Sequence, residues 1–483
     1  MVLESPRLRT AVALAALGAL LLAGPRPAAA QPLSVQEVLL RAKPAVVLII
    51  AEVAAEVTLN CGSGPVTAAP PPFRETGTGW FIDAGGWIIT NGHVVQPAHQ
   101  PPAWLVNQQA QRAVTSACLP RALGAAGLEP GQRPDAEEAL KRRLLDQVLP
   151  TAKVKLTPQV VVQLSNGQRF KAAVHKYSPP VSGAPGAMSG RDLALLKIDG
   201  RDFPVLPLAD SRAAQIGDPI HILGFPGVVL SHELLNQSSS REASVTNGAV
   251  SGFKEDVANL PVIQTDAPAS WGNSGGPAVT HKGGVLGVLT FVSLAPGAEG
   301  AIVQGFNFII PSAAVRDFVA GTPVQPTGRS AFNDAWFAGL REFFTEDWPG
   351  AARQFGQAEK LLPGLPDVKR MLAEAQDKVK NPPPRPFPWF WVAIGVTVLS
   401  AGGYGAQFGR RWYKNRYRVQ PSEVIRLLEA GKAPLIVDVR RPEVYDTLPL
   451  RIPGSVRIPP GEIASAVKDL DLDVTRPVVA YCT

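Results

Sequence analysis

The stretch "ASWGNSGGPAV", residues 269–279, decides how the rest of the chain is read. Ser274 stands there among Gly272, Gly275 and Gly276, so it is either a nucleophile held on a tight turn or a small residue filling one. A serine hydroxyl is a poor nucleophile at neutral pH and needs a base within reach and a third group to orient that base. The choice therefore rests on residues far away in the sequence.

Six histidines could supply the base, at positions 93, 99, 175, 221, 232 and 281. His93 follows "GWIITNG", a strand running into a turn, where a side chain is fixed by the scaffold and yet faces a cleft. His175 and His221 lie in strand-like runs and read as surface or packing residues, while His99, His232 and His281 lie in loop-like contexts. For the orienting acid, Asp192 in "GRDLALLKID" opens an apolar strand. A carboxylate there is partly buried and needs a partner such as an imidazole N–H. Asp199, in the following turn, reads as solvated.

Residues 45–310 read as mainly β. "AVVLIIAEV", "QVVVQLSNGQRFKAAV", "PIHILGF" and "GGVLGVLTFV" are short, Val- and Ile-rich runs, separated by turn pairs such as Gly85-Gly86, Asn166-Gly167 and Gly283-Gly284. Many short strands with glycine turns suggest barrels or sandwiches. Residues 100–150 break the pattern: "EEALKRRLLDQVLP" has little β-branching and reads as a partly helical insertion.

"TGTGWFIDAGGWIITNGHVV", "RDLALLKID", "IQTDAPASWGNSGGPAV" and "GFNFIIPS" together resemble the trypsin-like peptidases of the HtrA/Deg type, across roughly residues 35–322 and in that family's chain order of His, Asp, Ser. The resemblance implies a domain over 31–322 of two trypsin-like β-barrels with the site between them. It makes His93 the general base, Asp192 its orienting acid and Ser274 the nucleophile. The N–H groups of Gly272 and Ser274 form the oxyanion hole, where a side chain at Gly272 obstructs the close peptide approach. No cofactor or metal is implied; the substrates are proteins or peptides, unfolded envelope proteins among them.

Two departures sharpen this expectation. Asn273 stands where zymogen-activated relatives carry an aspartate that pairs with a newly cut N-terminus, so activation by propeptide cleavage is not expected. Pro268, six residues before Ser274, stands where trypsin proper places its specificity acid, which predicts cleavage after small or medium apolar residues. The 99 residues between His93 and Asp192 far exceed the family interval, because of the 100–150 insertion and "SPPVSGAPGAMSG". No PDZ-like domain follows the protease, and a homo-oligomer is a family expectation only.

The chain has 483 residues, for which the length prior is about three domains. Its formal charge of +7 resolves into +2 from residues 1–30 and +5 from "RRWYKNRYR" (410–418), leaving the remainder neutral. That gives no electrostatic case for nucleic-acid binding. The two basic patches instead flank apolar segments, which is how membrane topology is written. Residues 1–30, with Arg7, Arg9, "AVALAALGALLLAG" and an A-x-A site at Ala28 and Ala30, read as a secretory signal, with an uncleaved anchor as the duller reading. "FPWFWVAIGVTVLSAGGYGAQFG" (387–409) has 23 residues without a charge, enough to cross a bilayer core of about 30 Å. Its C-terminal arginines place 410–483 in the cytoplasm and 31–386 on the periplasmic side.

Cys61 and Cys118 then fall in the oxidising compartment and Cys482 in the reducing one. A Cys61–Cys118 disulfide and two free thiols both remain open readings. Residues 328–380 resemble a tetratricopeptide unit through Gly339, Ala351, Phe355, Ala358 and Pro363, although Ala335 stands where that pattern prefers Trp. One such unit cannot bury its apolar face alone, so packing against the protease is expected. "NPPPRPFP" (381–388) reads as a stiff linker. Residues 417–483, with "PLIVDV", "GSVRIP" and "PVVAYC", resemble a rhodanese domain whose C-terminal part is missing. That resemblance makes Cys482 the candidate persulfide carrier. Two other functions stay in view: an inactive protease fold kept as a binding or sensor module, and a protein whose main work is cytoplasmic sulfur transfer.

Overall fold

The computed structural model describes residues 33–62, 64–181, 190–236, 241–294, 302–384, 387–469 and 476–482. The secretory signal read over 1–30 lies outside them. The chain divides into two units, 1–383 and 384–483.

The first unit opens with helix α1 (Val35–Ala42), whose N-cap Ser34 accepts a hydrogen bond from Glu37 N at 3.1 Å. The first sheet follows: β1 (Val46–Asn60), β2 (Pro65–Ala68), β3 (Phe73–Asp83), β4 (Trp87–Thr90), β5 (Lys153–Gln163), β6 (Arg169–Ser178) and β7 (Leu193–Lys197). Its order is β2-β1-β3-β4-β7-β6-β5, and pairing of β1 with β5 from Leu48↔Gln163 to Thr58↔Lys153 closes a six-stranded barrel, with β2 appended to the end of β1. The second barrel is β10-β13-β12-β11-β8-β9, from β8 (Pro219–Gly224), β9 (Ser244–Glu255), β10 (Pro261–Thr265), β11 (Pro277–Thr280), β12 (Val285–Leu294) and β13 (Ile302–Pro311).

Alternation explains why the barrels pack as they do. Along β1, Val47, Ile49, Ala51 and Val53 face the interior of the first barrel with Phe81 and Ile88. The intervening Val46 and Leu48 face the other way and join Trp80, Ile82, Leu223, Phe225 and Val279 in a second core that welds the barrels together. The site lies along this weld.

Helix α2 (Gly92–His99) follows β4, and the insertion after it is helical: α3 (Ala103–Ala113), a π-turn at Val114–Cys118, α4 (Leu119–Ala125) and α5 (Pro134–Val148). Cys61, just after β1, is bonded to Cys118 across 57 residues. Val57, Leu59, Ala113, Val114 and Val148 form a satellite core around that link.

After α6 (Ser312–Val319), three helices follow: α7 (Ala331–Phe344), α8 (Trp348–Leu361) and α9 (Pro366–Lys380). Each starts on a fitting residue: Ser330 accepts from Asn333 N, Asp347 from Gly350 N, and Pro366 opens α9. Their apolar faces continue the first barrel's core through Phe332, Trp336, Leu340 and Phe355. Trp336 Nε1 donates to the carbonyl of Leu40 at 2.8 Å, and the Asn333 amide both donates to and accepts from the main chain of Val205.

In the second unit, α10 (Trp389–Asn415) is long and apolar enough to cross a membrane, and none of it is buried. A parallel three-stranded sheet follows, in the order β15 (Val456–Arg457), β14 (Leu435–Asp438), β16 (Val478–Tyr481). Cys482 follows β16 as an exposed free thiol.

Candidate active site

His93 is not in a turn, as its "TNG" context suggests, but in the first turn of α2. Asn91, at the N-cap position, leaves the helix end uncapped and donates through Nδ2 to the carbonyl of Asp192 at 2.8 Å. Gly92 is needed because a Cβ there would lie 2.4 Å from the Ser178 carbonyl oxygen.

Asp192 stands immediately before β7, 4% exposed, with a left-handed φ of +52°. A non-glycine residue there stores roughly 1–3 kcal/mol of strain, which its partners must offset. Three donors converge on its carboxylate: His93 N on Oδ1 at 2.8 Å, and His93 Nδ1 (2.8 Å) and Thr290 Oγ1 (2.7 Å) on Oδ2. The acid thus grips His93 by main chain and ring together, so the Nδ1–H tautomer is the one that fits. Burial pulls the imidazole pKa down, but the charge and hydrogen bond of Asp192 and the charge of Glu75 outweigh this and hold it above its ordinary value.

Ser274 lies on the loop between β10 and β11. Its Oγ donates to the Thr290 carbonyl at 3.2 Å, and among the described residues no hydrogen bond joins it to His93. Both side chains nevertheless line one cavity of about 770 Å³. In substrate-free sites such contacts are commonly long and tighten only on binding. The loop is clamped from β3: Thr78 N donates to the Ser274 carbonyl at 2.8 Å, and Thr78 Oγ1 to the Gly272 carbonyl at 2.7 Å. Gly272 has φ +97°, and a Cβ on it would fall 2.4 Å from the Phe225 carbonyl oxygen. Asn273 N is spent on Ser270 O and Gly275 N on Leu289 O. The N–H groups of Gly272 and Ser274 have no acceptor among the described residues. Asn273 itself is buried, and its Oδ1 has no hydrogen-bond partner among the described residues.

The cavity wall is largely apolar, with Val181, Val257, Val262, Trp271 and Phe308, and its rim carries Lys254, Glu255 and Asp256. Asp256 Oδ1 is occupied by Ala258 N and Leu260 N in a turn. Pro268, expected from spacing to sit at the specificity pocket, is exposed and does not line the cavity; its carbonyl accepts from Thr246 Oγ1.

The other histidines lie elsewhere. His175 meets Trp87 edge-on, the buried His221 pairs through Nδ1 with Asn247, and His232 and His281 are exposed. His99, expected in a loop, ends helix α2 against the ring of Tyr177. Asp199 is exposed beyond β7. Cys61 and Cys118 lie in the insertion's satellite core, and Cys482 lies in the other unit.

Sequence reasoning missed Thr290, Thr78, Asn91 and Glu75. Only Thr290 left a signal, as the single polar residue in the run "GGVLGVLTFV".

Residues 77–288 match the family model of the trypsin-like peptidase domain. Serine protease HTR4 of Bos taurus is 30% identical over 213 residues, which is 44% of this chain and 38% of that protein. A probable periplasmic serine endoprotease, DegP-like, of Pseudomonas fluorescens is 34% identical over 156 residues, covering 32% and 27% of the two chains. The chain thus spans well under half the length of these relatives. The solved serine endoprotease from Yersinia pestis aligns over 59% of this chain and 65% of its own, with 22% identity and a TM-score of 0.31. Residues 77–288 thus match a trypsin-like peptidase domain, and the chain is similar over part of its length to these serine proteases.

Proposed function

We propose that this protein is an exported, membrane-anchored serine endopeptidase that cleaves extended segments of protein substrates. The observation carrying this is the Asp192 carboxylate holding His93 by both N and Nδ1, beside a cavity that His93 shares with Ser274. In the proposed cycle a peptide carbonyl enters beside Ser274, and the hydroxyl leaves the Thr290 carbonyl for His93 Nε2. His93 takes the proton as Oγ attacks, and Asp192 stabilises the imidazolium. The N–H groups of Gly272 and Ser274 receive the oxyanion. His93 then donates the proton to the leaving amine, and water hydrolyses the acyl-enzyme by the same relay.

The apolar wall around Val262 and Phe308 supports cleavage after apolar residues. Asn273 supports control by substrate binding rather than by propeptide removal. Helix α10, with Trp389 and Trp391 at one end and Arg410, Arg411 and Lys414 at the other, supports a single span with the protease on the periplasmic side and residues 410–483 in the cytoplasm. A role in envelope protein quality control or regulated proteolysis follows from that placement. The parallel sheet ending at Cys482 supports a rhodanese-like reading of 417–483, with Cys482 as persulfide carrier. Thiosulfate-to-cyanide transfer, lost in Cys482→Ser, tests it.

The test of the main reading is fluorophosphonate labelling of the full chain in detergent beside Ser274→Ala. Labelling confined to Ser274, with hydrolysis of an unfolded substrate, is expected. A folded protein that neither labels nor cleaves would instead be a binding module with its serine parked on Thr290.

A further inference from the structure

Strand β3 carries a second carboxylate on the face it turns toward the helix that bears His93. On β3, Phe73, Glu75 and Gly77 share one face, because side chains alternate along a strand. Phe73 meets Trp104 of α3 edge-on with ring centroids 5.5 Å apart. A Cβ on Gly77 would fall 2.5 Å from Val94, the residue after His93 in α2. Glu75 lies between these two contacts, on the face that β3 turns toward the start of α2. Its neighbour Arg74 points the other way and is paired with Glu52. Among the described residues Glu75 is only partly exposed and has neither a hydrogen bond nor an ion pair. A carboxylate withdrawn from water with no counter-group is destabilising unless something charged nearby makes use of it.

We propose, resting on the serine-peptidase reading, that Glu75 is a positioning residue for His93: its carboxylate faces the imidazole from β3 and stabilises the imidazolium formed when Ser274 gives up its proton. Glu75 takes no proton itself. The proton leaves Ser274 Oγ, resides on His93 Nε2, and passes to the leaving amine. The electrostatics agree with the placement: burial pushes the Glu75 carboxyl up and the His93 charge draws it back, while Glu75 in turn adds to the upward shift of His93. Among the described residues, the other charged or titratable groups on this side are Asp192 before β7, Tyr177 on β6 beside Asp192, His99 of α2 against Tyr177, and Lys254, Glu255 and Asp256 of the cavity.

The experiment uses the full chain in detergent and compares wild type with Glu75→Gln. The acid limb of kcat/KM should move down by about half a pH unit. The plateau should fall about threefold to tenfold, because a weaker base is left beside an unchanged nucleophile. Glu75→Asp, which draws the charge back by one methylene, should move the limb part of the way, and it serves alone if the Gln variant does not fold. A merely structural role would lower the plateau without moving the limb. Superimposable limbs for wild type and the folded variants would overturn the proposal. The same substitution in a Ser274→Ala background, followed by the NMR titration of His93, reads the coupling without hydrolysis. If the chain with Ser274 intact neither labels nor cleaves although the Glu75→Gln midpoint is shifted, the peptidase reading fails and only the charge coupling between Glu75 and His93 survives; an unshifted midpoint overturns the coupling itself.

Discussion

At the scale of single residues, the site depends on Asp192 accepting three hydrogen bonds at once. An amide cannot do so, since half of it donates. Asp192→Asn should therefore leave a folded protein with its imidazole in the wrong tautomer, and kcat should drop by about 10⁴-fold. Steady-state hydrolysis beside a thermal melt separates that from unfolding. The pH dependence has a definite sign. His93 must be neutral to act as base, and its pKa is held above the ordinary 6.5. The rate should accordingly rise with pH, with its acid limb above that value. Stability runs the opposite way: the folded state binds this proton more tightly than the unfolded chain. The contribution is complete below the unfolded pKa and is lost as pH rises through the folded one. A pH–rate profile with its acid midpoint clearly below 6.5 would contradict the assignment. His93, Asp192 and Ser274 stand out as candidates in the sequence by their local contexts, and the structure bonds His93 to Asp192 and puts His93 and Ser274 on one cavity. Thr290 shows only as a lone polar residue in its run, with nothing to say that its hydroxyl serves a carboxylate 98 residues away. Glu75 does not stand out, since strand alternation says which residues share a face but not which helix covers it.

At the scale of elements, the nucleophile loop is shaped by close backbone approach. A Cβ at Gly272 meets Phe225 O at 2.4 Å and Gly227 N at 2.8 Å, at a φ that L residues rarely adopt. Gly272→Ala should displace the loop and remove an oxyanion donor, lowering kcat by about 100-fold or more while the melting temperature changes far less. Burst-phase kinetics with an activated ester would locate the loss in acylation. The strands were legible because short runs rich in Val and Ile, such as the start of β1, are separated by glycine turns such as Gly85-Gly86 between β3 and β4. The start of α2 was not: Asn91-Gly92 has the look of a turn, yet the helix begins there, with Asn91 Nδ2 bonded to the Asp192 carbonyl at the start of the neighbouring strand β7. The insertion's helices were legible, but not what anchors them. Cys61–Cys118 closes a loop of 57 residues between the end of β1 and the π-turn. Cys118→Ser should cost about 4 kcal/mol by loop entropy, read as a lower denaturation midpoint of the first unit. Because the link is remote from His93, activity of the folded fraction should stay near wild type.

At the scale of the molecule, the three helices after the second barrel belong to the protease's own core and are not a detached module. The glycine and alanine spacing that resembles a tetratricopeptide unit reports tight helix pairing: a Cβ on Gly339 would strike the Phe355 ring at 2.5 Å. Such a pattern cannot say what the outer face of the pair meets, and here it meets the first barrel. Trp336 is the anchor. It is fully buried, lies tilted against the Phe355 ring with centroids 5.1 Å apart, and ties α7 to α1 through the Leu40 carbonyl. Trp336→Ala removes that volume and leaves the carbonyl unpaired, a change of about 3–5 kcal/mol. That is a large share of the roughly 5–15 kcal/mol by which a domain is stable. Trp336→Phe keeps most of the packing and loses the hydrogen bond, for about 1 kcal/mol. If α7 to α9 are part of one cooperative unit with the barrels, the alanine variant lowers the temperature at which fluorophosphonate labelling of Ser274 is lost, and the phenylalanine variant lowers it slightly. Unchanged labelling in Trp336→Ala, with only the helical signal melting early, would show that the barrels stand without their helical buttress.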